Sequence, residues 1–379
     1  MRIINGSVFV GEGFVERDVF VAEGRFVGEA ARAEGGQTVD AAGCYVIPGL
    51  TDLHFHGCVG EDFSDATPEG LQAMADYELS RGITQICPAG MTLSEEQLTL
   101  ICRNTAAHRE KKAGGAEVVG LNLEGPFLSR AKKGAQNAAY LHDPDLAMLR
   151  RLQQAAQGMV KLVTVAPEQP GAMEFIRAAA ADGITVSVGH TTADYETASA
   201  AFASGARQAT HLFNAMPPFT HRAPGVVGAA FDQPEVRVEL ISDGVHIHPS
   251  VVRAVFRLFG ARRVILISDS LRAAGMPDGT YPFGGQMIEV HGNRATILGE
   301  PDTLAGSVSD LMACMKRAVS FGVPLADAVT AAAVNPAQAI GIYDRMGSLE
   351  TGKLANAAVL DQNLELKAVL FHGEIVHGV

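Results

Sequence analysis

Four histidines and two carboxylates in this chain each sit on, or close, a short apolar run. His54 and His56 alternate with Leu53 and Phe55 in TDLHFHG. On a strand, whose side chains alternate between faces, both imidazoles therefore point the same way. Glu124 closes VVGLNLEG apart from one glycine, His190 closes ITVSVGH, His211 lies in RQATHLF and Asp269 closes VILISD. Singly, each is more often a structural or surface residue than a ligand. Together they gather several ionisable groups on one rim, where desolvation is costly unless a cation neutralises them. Imidazoles and carboxylates without thiolates suit an open catalytic site for a divalent ion, zinc first, iron or another first-row metal next. Such an ion would lower the pKa of bound water and polarise a carbonyl. Asp269 is the candidate base, able to take the water's proton and hand it to a leaving amine, so amide hydrolysis is the reaction expected.

These groups meet only if a fold brings the ends of their runs together. From about residue 50 onward, β-branched runs alternate with longer stretches of helical period, as βα units around a parallel sheet do. The runs are 51–57, 83–89, 118–125, 161–168, 184–190, 207–213, 236–244 and 264–269. Helix starts are signalled by Pro68-Glu69, by Ser94-Glu95-Glu96 before QLTLICRNTAAHREKK, and by Asp143-Pro144. The predicted fold is α/β, a (β/α)8 TIM barrel with its reactive groups at the C-terminal ends of the strands. A doubly wound sheet is the rival, but it more usually has about five to seven strands and no reason to end so many in polar residues. The two chain ends, 1–48 and 346–379, read as short strands with Gly turns and are predicted to form one small β-sandwich domain, leaving 49–345 to the barrel. The Gly- and Pro-rich stretch 271–306, with a hairpin at QMIEVHGNRATIL, follows the last barrel strand, where a lid could sit.

Composition narrows the function. With 379 residues and 47% hydrophobic content the chain can bury a large core. The start MRIINGSVFVGEG lacks the basic and apolar regions of a signal peptide, and no apolar run nears the roughly 20 residues of a membrane span. Five scattered cysteines, none spaced as CxxC, suggest neither disulfides nor a cysteine zinc site. A cytoplasmic protein without a membrane partner is expected. The net charge of −12 argues against nucleic acid and favours a small-molecule substrate, an anionic one requiring cations gathered locally.

Across nearly its whole length the chain carries PGLTDLHFHG, LEGPF with KKGAQN, VGHTTA, THLFNAMPP with Arg222, SDGVHIHP, LISDS and TLAGS in order. In these it resembles the N-acetylglucosamine-6-phosphate deacetylases of the amidohydrolase superfamily. The resemblance implies conversion of N-acetylglucosamine 6-phosphate to glucosamine 6-phosphate and acetate in amino-sugar catabolism. It implies Glu124, His190 and His211 as the core metal ligands and Asp269 as the acid/base. His54 and His56 would support a second ion bridged by Glu124, so one or two ions are expected, zinc foremost with Fe2+ as the alternative. Many amidohydrolases bridge two metals with a carboxylated lysine ending strand four; KLVTVAPE has its lysine at the start, which leaves the bridging to Glu124. Around the phosphorylated sugar the resemblance sets Ala135, Gln136, Asn214, Ala215, Arg222 and His246, with Leu304, Ala305 and Gly306 as wall. Phosphate contacts in the family can come from the adjoining subunit, so a homodimer is implied.

This chain departs from the family at several points. Some members have a substrate-contacting histidine after KKGA, where Gln136 can donate a hydrogen bond but cannot act as an acid. Gly90 stands where a larger residue is common, and Asn356 replaces an aspartate near the chain end. Arg222 and His246 cannot distinguish gluco from galacto epimers, so N-acetylgalactosamine 6-phosphate or another N-acyl compound is the enzyme alternative. A barrel that has lost catalysis would be expected to lack several ligands, and all six candidates are present.

Overall fold

The computed structural model describes residues 1–29, 36–111 and 114–378. Residues 30–35 and Val379 of the expected terminal domain, and Lys112 at the end of one predicted helix, lie outside them.

Eight strands in the central part run parallel: Leu50–Asp52 (β1), Ile83–Ile86 (β2), Leu121–Leu123 (β3), Val160–Val165 (β4), Thr185–Val188 (β5), Gln208–Ala209 (β6), Arg237–Ile241 (β7) and Val264–Ile267 (β8). β1 pairs with β2, and β3 through β8 pair in sequence order. Two short segments, Ala89–Gly90 and Glu117–Val118, carry the pairing between β2 and β3. The sheet is curled: just past β8 the Asp269 N–H donates to His54 O at 2.9 Å, and the His56 N–H to Ser270 O at 2.7 Å.

A helix follows each strand, and local chemistry sets where it begins. Thr67 accepts from the Gly70 N–H at the start of Pro68–Ser80, with Pro68 in the first turn, where its missing N–H costs nothing. Asp145, Asp194 and Asp310 cap Leu146–Ala155, Tyr195–Ala203 and Leu311–Ser320 in the same way. The predicted start at Asp143-Pro144 thus falls two residues early, because Asp145 is the residue whose carboxylate reaches the Met148 N–H. On or just past these strands, Leu53, Leu162, Ile241, Ile265 and Ile267 pack with Ala337, Ile340 and Met346 in one apolar cluster.

The two ends of the chain share one mixed sheet. Arg2–Phe9 pairs with Phe14–Ala22, Thr38–Asp40 and Tyr45–Pro48; Tyr45–Pro48 pairs in turn with Ala357–Leu360, which is followed outward by Leu366–Phe371 and Glu374–Gly378. Ile3, Val8, Phe26, Val46, Val359 and Leu370 form its own core.

Within 271–306 four strands make an antiparallel sheet, Gly279–Phe283, Gln286–His291, Arg294–Ile297 and Glu300–Leu304. The predicted hairpin turns at Gly292-Asn293, with Gly292 at φ +59°, a left-handed conformation that glycine adopts without steric cost. Its tip is tethered: the Asn293 amide donates to Asp243 O at 2.9 Å and accepts from Ser309 Oγ at 2.9 Å. No described helix is long and apolar enough to cross a membrane.

Candidate metal centre and its cavity

The six candidate side chains converge where the strands end. Glu124, just past β3, is the hub. Its Oε1 lies 3.2 Å from His54 Nε2, 3.1 Å from His190 Nε2 and 3.0 Å from His211 Nε2, and its Oε2 lies 3.3 Å from His56 Nε2. Asp269 Oδ1 lies 3.4 Å from His56 Nε2 and 3.8 Å from His54 Nε2. Potential ligand atoms fall into two compact groups, His54 with His56 and Asp269, and Glu124 with His190 and His211. All six residues are buried. His190, His211 and Asp269 have φ of +47°, +27° and +49°, a region non-glycine residues rarely occupy and one that gathers at functional sites. At each the backbone leaves its strand, which turns the side chain onto the rim.

Hydrogen bonds on the outer ring nitrogens decide what the inner ones can do. His56 Nδ1 is 3.0 Å from Ala89 O and His190 Nδ1 is 2.8 Å from Lys132 O. A carbonyl oxygen only accepts, so each Nδ1 carries a proton and each ring turns its Nε2 inward. These nitrogens confront carboxylate oxygens and one another, with His190 Nε2 3.1 Å from His211 Nε2. Acceptors crowd together in this way only around positive charge. Burial alone would lower the pKa of His54, yet Glu124 and Glu239 override it and raise it well above the usual value. His56 is raised to about 10, against the effect of burial, by Asp269 and Glu124. Burial would raise the Glu124 and Asp269 pKa values, and the surrounding histidines lower both. The donor set therefore fits a divalent cation, with imidazole and carboxylate ligands in two adjacent groups and no thiolate. His54 Nε2 and His211 Nδ1 lack a hydrogen-bond partner, and the first of these points into the centre.

A cavity of about 430 Å³ opens over the centre. Ala135, Gln136, Asn214, Ala215, His246, Leu304, Ala305 and Gly306 line it, together with His56, Glu124, His190, His211 and Asp269. His54 lies beneath, fully buried. Arg222 is placed apart, exposed in a separate groove of about 540 Å³ beside Tyr195 and Asp232. Gln136 has its side chain committed to the centre: its amide donates to Glu124 Oε2 at 2.6 Å and its carbonyl accepts from the Thr92 N–H at 2.6 Å. A larger cavity of about 660 Å³ beside the terminal sheet contains neither ligand group.

Several residues with evident roles had no part in the sequence expectation. Phe283, from the antiparallel sheet, packs edge-on against His56 with ring centroids 5.6 Å apart. Asp243 accepts from His246 Nδ1 at 2.8 Å, leaving His246 Nε2 free to address the cavity. Lys132 lines the cavity, and Glu239 lies behind His54. Of these, Glu239 carried a signal, a carboxylate inside the apolar run VRVELISDG.

The curled parallel sheet carries the six candidate ligands at its strand ends, and the chain belongs to the amidohydrolase family, whose profile matches residues 45–376. Among curated relatives, the N-acetylglucosamine-6-phosphate deacetylase of Bacillus subtilis is 36% identical over 334 residues, 87% of this chain and 84% of the relative. The N-acetylgalactosamine-6-phosphate deacetylase of Escherichia coli O157:H7 is 32% identical, covering 87% of each chain. Among solved structures, a mutant N-acetyl-D-glucosamine-6-phosphate deacetylase of Mycobacterium smegmatis, in complex with N-acetyl-D-glucosamine-6-phosphate, superposes with a TM-score of 0.92. It is 34% identical, covering 100% of this chain and 99% of its own.

Proposed function

We propose that this chain hydrolyses N-acetylglucosamine 6-phosphate to glucosamine 6-phosphate and acetate, as a cytoplasmic enzyme of amino-sugar catabolism. The observation that carries the reading is the convergence of four imidazoles on Glu124 and Asp269 beneath a cavity sized for one small molecule. We take the parallel sheet as a closed (β/α)8 barrel spanning 49–345, supported by the hydrogen bonds that join His54 and His56 to the residues after β8. Residues 1–48 and 346–379 are taken as the small β-sandwich domain, supported by their shared sheet and its own core.

Glu124, His190 and His211 would hold one ion and His54, His56 and Asp269 a second, with zinc the best match to the ligands and Fe2+ next. When bound, such an ion supplies Lewis-acid activation of the acetamide carbonyl and a lowered pKa for the attacking water. Asp269, partly open to the cavity, takes that water's proton on its carboxylate and passes it to the amide nitrogen. A C–O bond forms to the acetyl carbon, the C–N bond breaks, and the sugar leaves as its amine. Phe283, Leu304 and Ala305 exclude bulk water on one side, which strengthens every electrostatic contact within.

His246, oriented by Asp243 through its Nδ1–H, borders with Asn214 and Ala215 the space in which the substrate's phosphate would sit. Arg222 is assigned to the phosphate bound by a second copy in a homodimer, since it lies outside its own cavity, near the half-exposed Phe219. Acetate release from the 6-phosphate, the free sugar and the galacto epimer tests the reading. The gluco 6-phosphate is expected to be turned over best, and equal turnover of the free sugar would overturn the phosphate assignment.

A further inference from the structure

We infer that Glu239 is the positioning residue that makes His54, His56 and Asp269 a metal position, by fixing His54 in the tautomer whose Nε2 lone pair faces the centre. The inference rests on the proposed reading of that group as metal-holding.

Glu239 lies in the middle of β7 and is 1% exposed. Its Oε2 accepts from His54 Nδ1 at 3.0 Å and from the His211 N–H at 3.1 Å, and its Oε1 accepts from the Gln208 amide at 2.6 Å. Among the described residues its only ion-pair partner is His54. A carboxylate buried without lysine or arginine is costly, and volume alone would be met as well by glutamine. What glutamine lacks is a side chain that accepts at both ends. Oε2, already accepting from the His211 N–H, faces His54 Nδ1 as an acceptor, so the proton sits on His54 Nδ1. A glutamine or a water at this position could donate to Nδ1, leaving the proton on Nε2, where it would occupy the place of a cation.

His56 and His190 are held in the same tautomer by the neutral carbonyls of Ala89 and Lys132. His54 alone is backed by a charge, and a carboxylate behind a ligating imidazole also raises its basicity toward a metal. Glu239 touches His211 only at the backbone N–H. Its charge therefore acts through the His54 ring, on one of the two groups.

The test is Glu239→Leu in the full chain, stripped of metal and titrated with cobalt(II), read by visible absorption and by metal content per chain. Glu239→Gln is the weaker test, since Gln208 Oε1 has no hydrogen-bond partner and that amide can turn to accept from the new one, leaving a carbonyl oxygen on His54 Nδ1. Wild type is expected to take two ions. The Glu239→Leu variant is expected to keep one at wild-type affinity and to bind the second roughly 10- to 100-fold more weakly. Two ions bound with unchanged affinities would overturn the inference. So would equal weakening of both sites with a lower melting temperature of the metal-free protein, the mark of a merely structural role. A wild type that takes only one ion would overturn the two-position reading instead, before any variant is made. Independently, side-chain 1H–15N spectra of zinc-loaded wild type are expected to show the His54 proton on Nδ1, and finding it on Nε2 would overturn the inference.

Discussion

Gln136 bridges Glu124 and the backbone of Thr92, with both hydrogen bonds at 2.6 Å. The family resemblance sets this residue against substrate, and it lines the cavity, while one of its two amide N–H groups is given to the carboxylate on which four histidines converge. Replacing Gln136 with leucine leaves Glu124 Oε2 with one fewer donor and the Thr92 N–H without an acceptor. Metal affinity is then expected to fall roughly 10- to 100-fold, the usual cost of losing a group that orients a ligand. With metal saturating, KM is expected to stay near its wild-type value. A calorimetric metal titration alongside KM separates the two roles, since a substrate contact would raise KM and leave metal affinity unchanged.

Asp269→Asn keeps the shape of the carboxylate and removes its ability to take a proton. The expected result is a fall in kcat of roughly 10²- to 10⁴-fold, the range for losing general acid–base catalysis. Binding of the phosphorylated sugar to the variant is expected to persist. Single-turnover acetate release and a binding isotherm check both halves, and an undiminished kcat would remove Asp269 from the proton path.

The division between what the sequence made legible and what it concealed follows from range. The six ligating candidates lie on or beside apolar runs, and a strand's two-residue period puts His54 and His56 on one face whatever surrounds them. The turn in QMIEVHGNRATIL is local for the same reason. Glu239 meets His54 across 185 residues, and Gln136 reaches back 44 to Thr92, so no spacing rule could pair them. Strand lengths were also overread. RQATHLF supplies only Gln208–Ala209 to the sheet, because the chain has turned to φ +27° by His211, which puts the imidazole on the rim.

Glu78 carries a different cost. It is fully buried in helix Pro68–Ser80, and the Cys58 thiol, a weak donor, is the one side chain that offers its carboxyl a hydrogen bond among the described residues. Burial raises its pKa well above the usual value, and the nearby carboxylates of Asp52 and Asp310 raise it further. The folded state therefore keeps the proton while the unfolded chain ionises above its ordinary pKa near 4.5. Stability is unaffected by this group below that pH. It falls as pH rises toward the folded-state pKa, by at most about 1.4 kcal/mol per pH unit. Glu78→Gln is expected to remove this dependence, so urea unfolding of the metal-free variant and wild type should agree near pH 4 and diverge with increasing pH, the variant becoming the more stable. A gap that stays constant with pH would mean that the carboxyl does not hold its proton in the fold.

Arg222 separates a one-chain site from a shared one. It is exposed and borders the groove of Tyr195 and Asp232, outside the cavity that holds His246. If it serves the phosphate of a second copy, Arg222→Ala removes a charged hydrogen bond of about 1.5–3 kcal/mol, roughly 10- to 150-fold in kcat/KM for the 6-phosphate. Turnover of the free sugar should not change. A shared site makes a further demand that a one-chain site does not. An Arg222→Ala chain carries an intact centre, and an Asp269→Asn chain carries an intact arginine. Mixed dimers of the two are expected to recover activity in the one site that combines both, approaching a quarter of the wild-type level when equal amounts are mixed to equilibrium. Absence of recovery, with chain exchange verified by mass, would return Arg222 to the surface of its own chain.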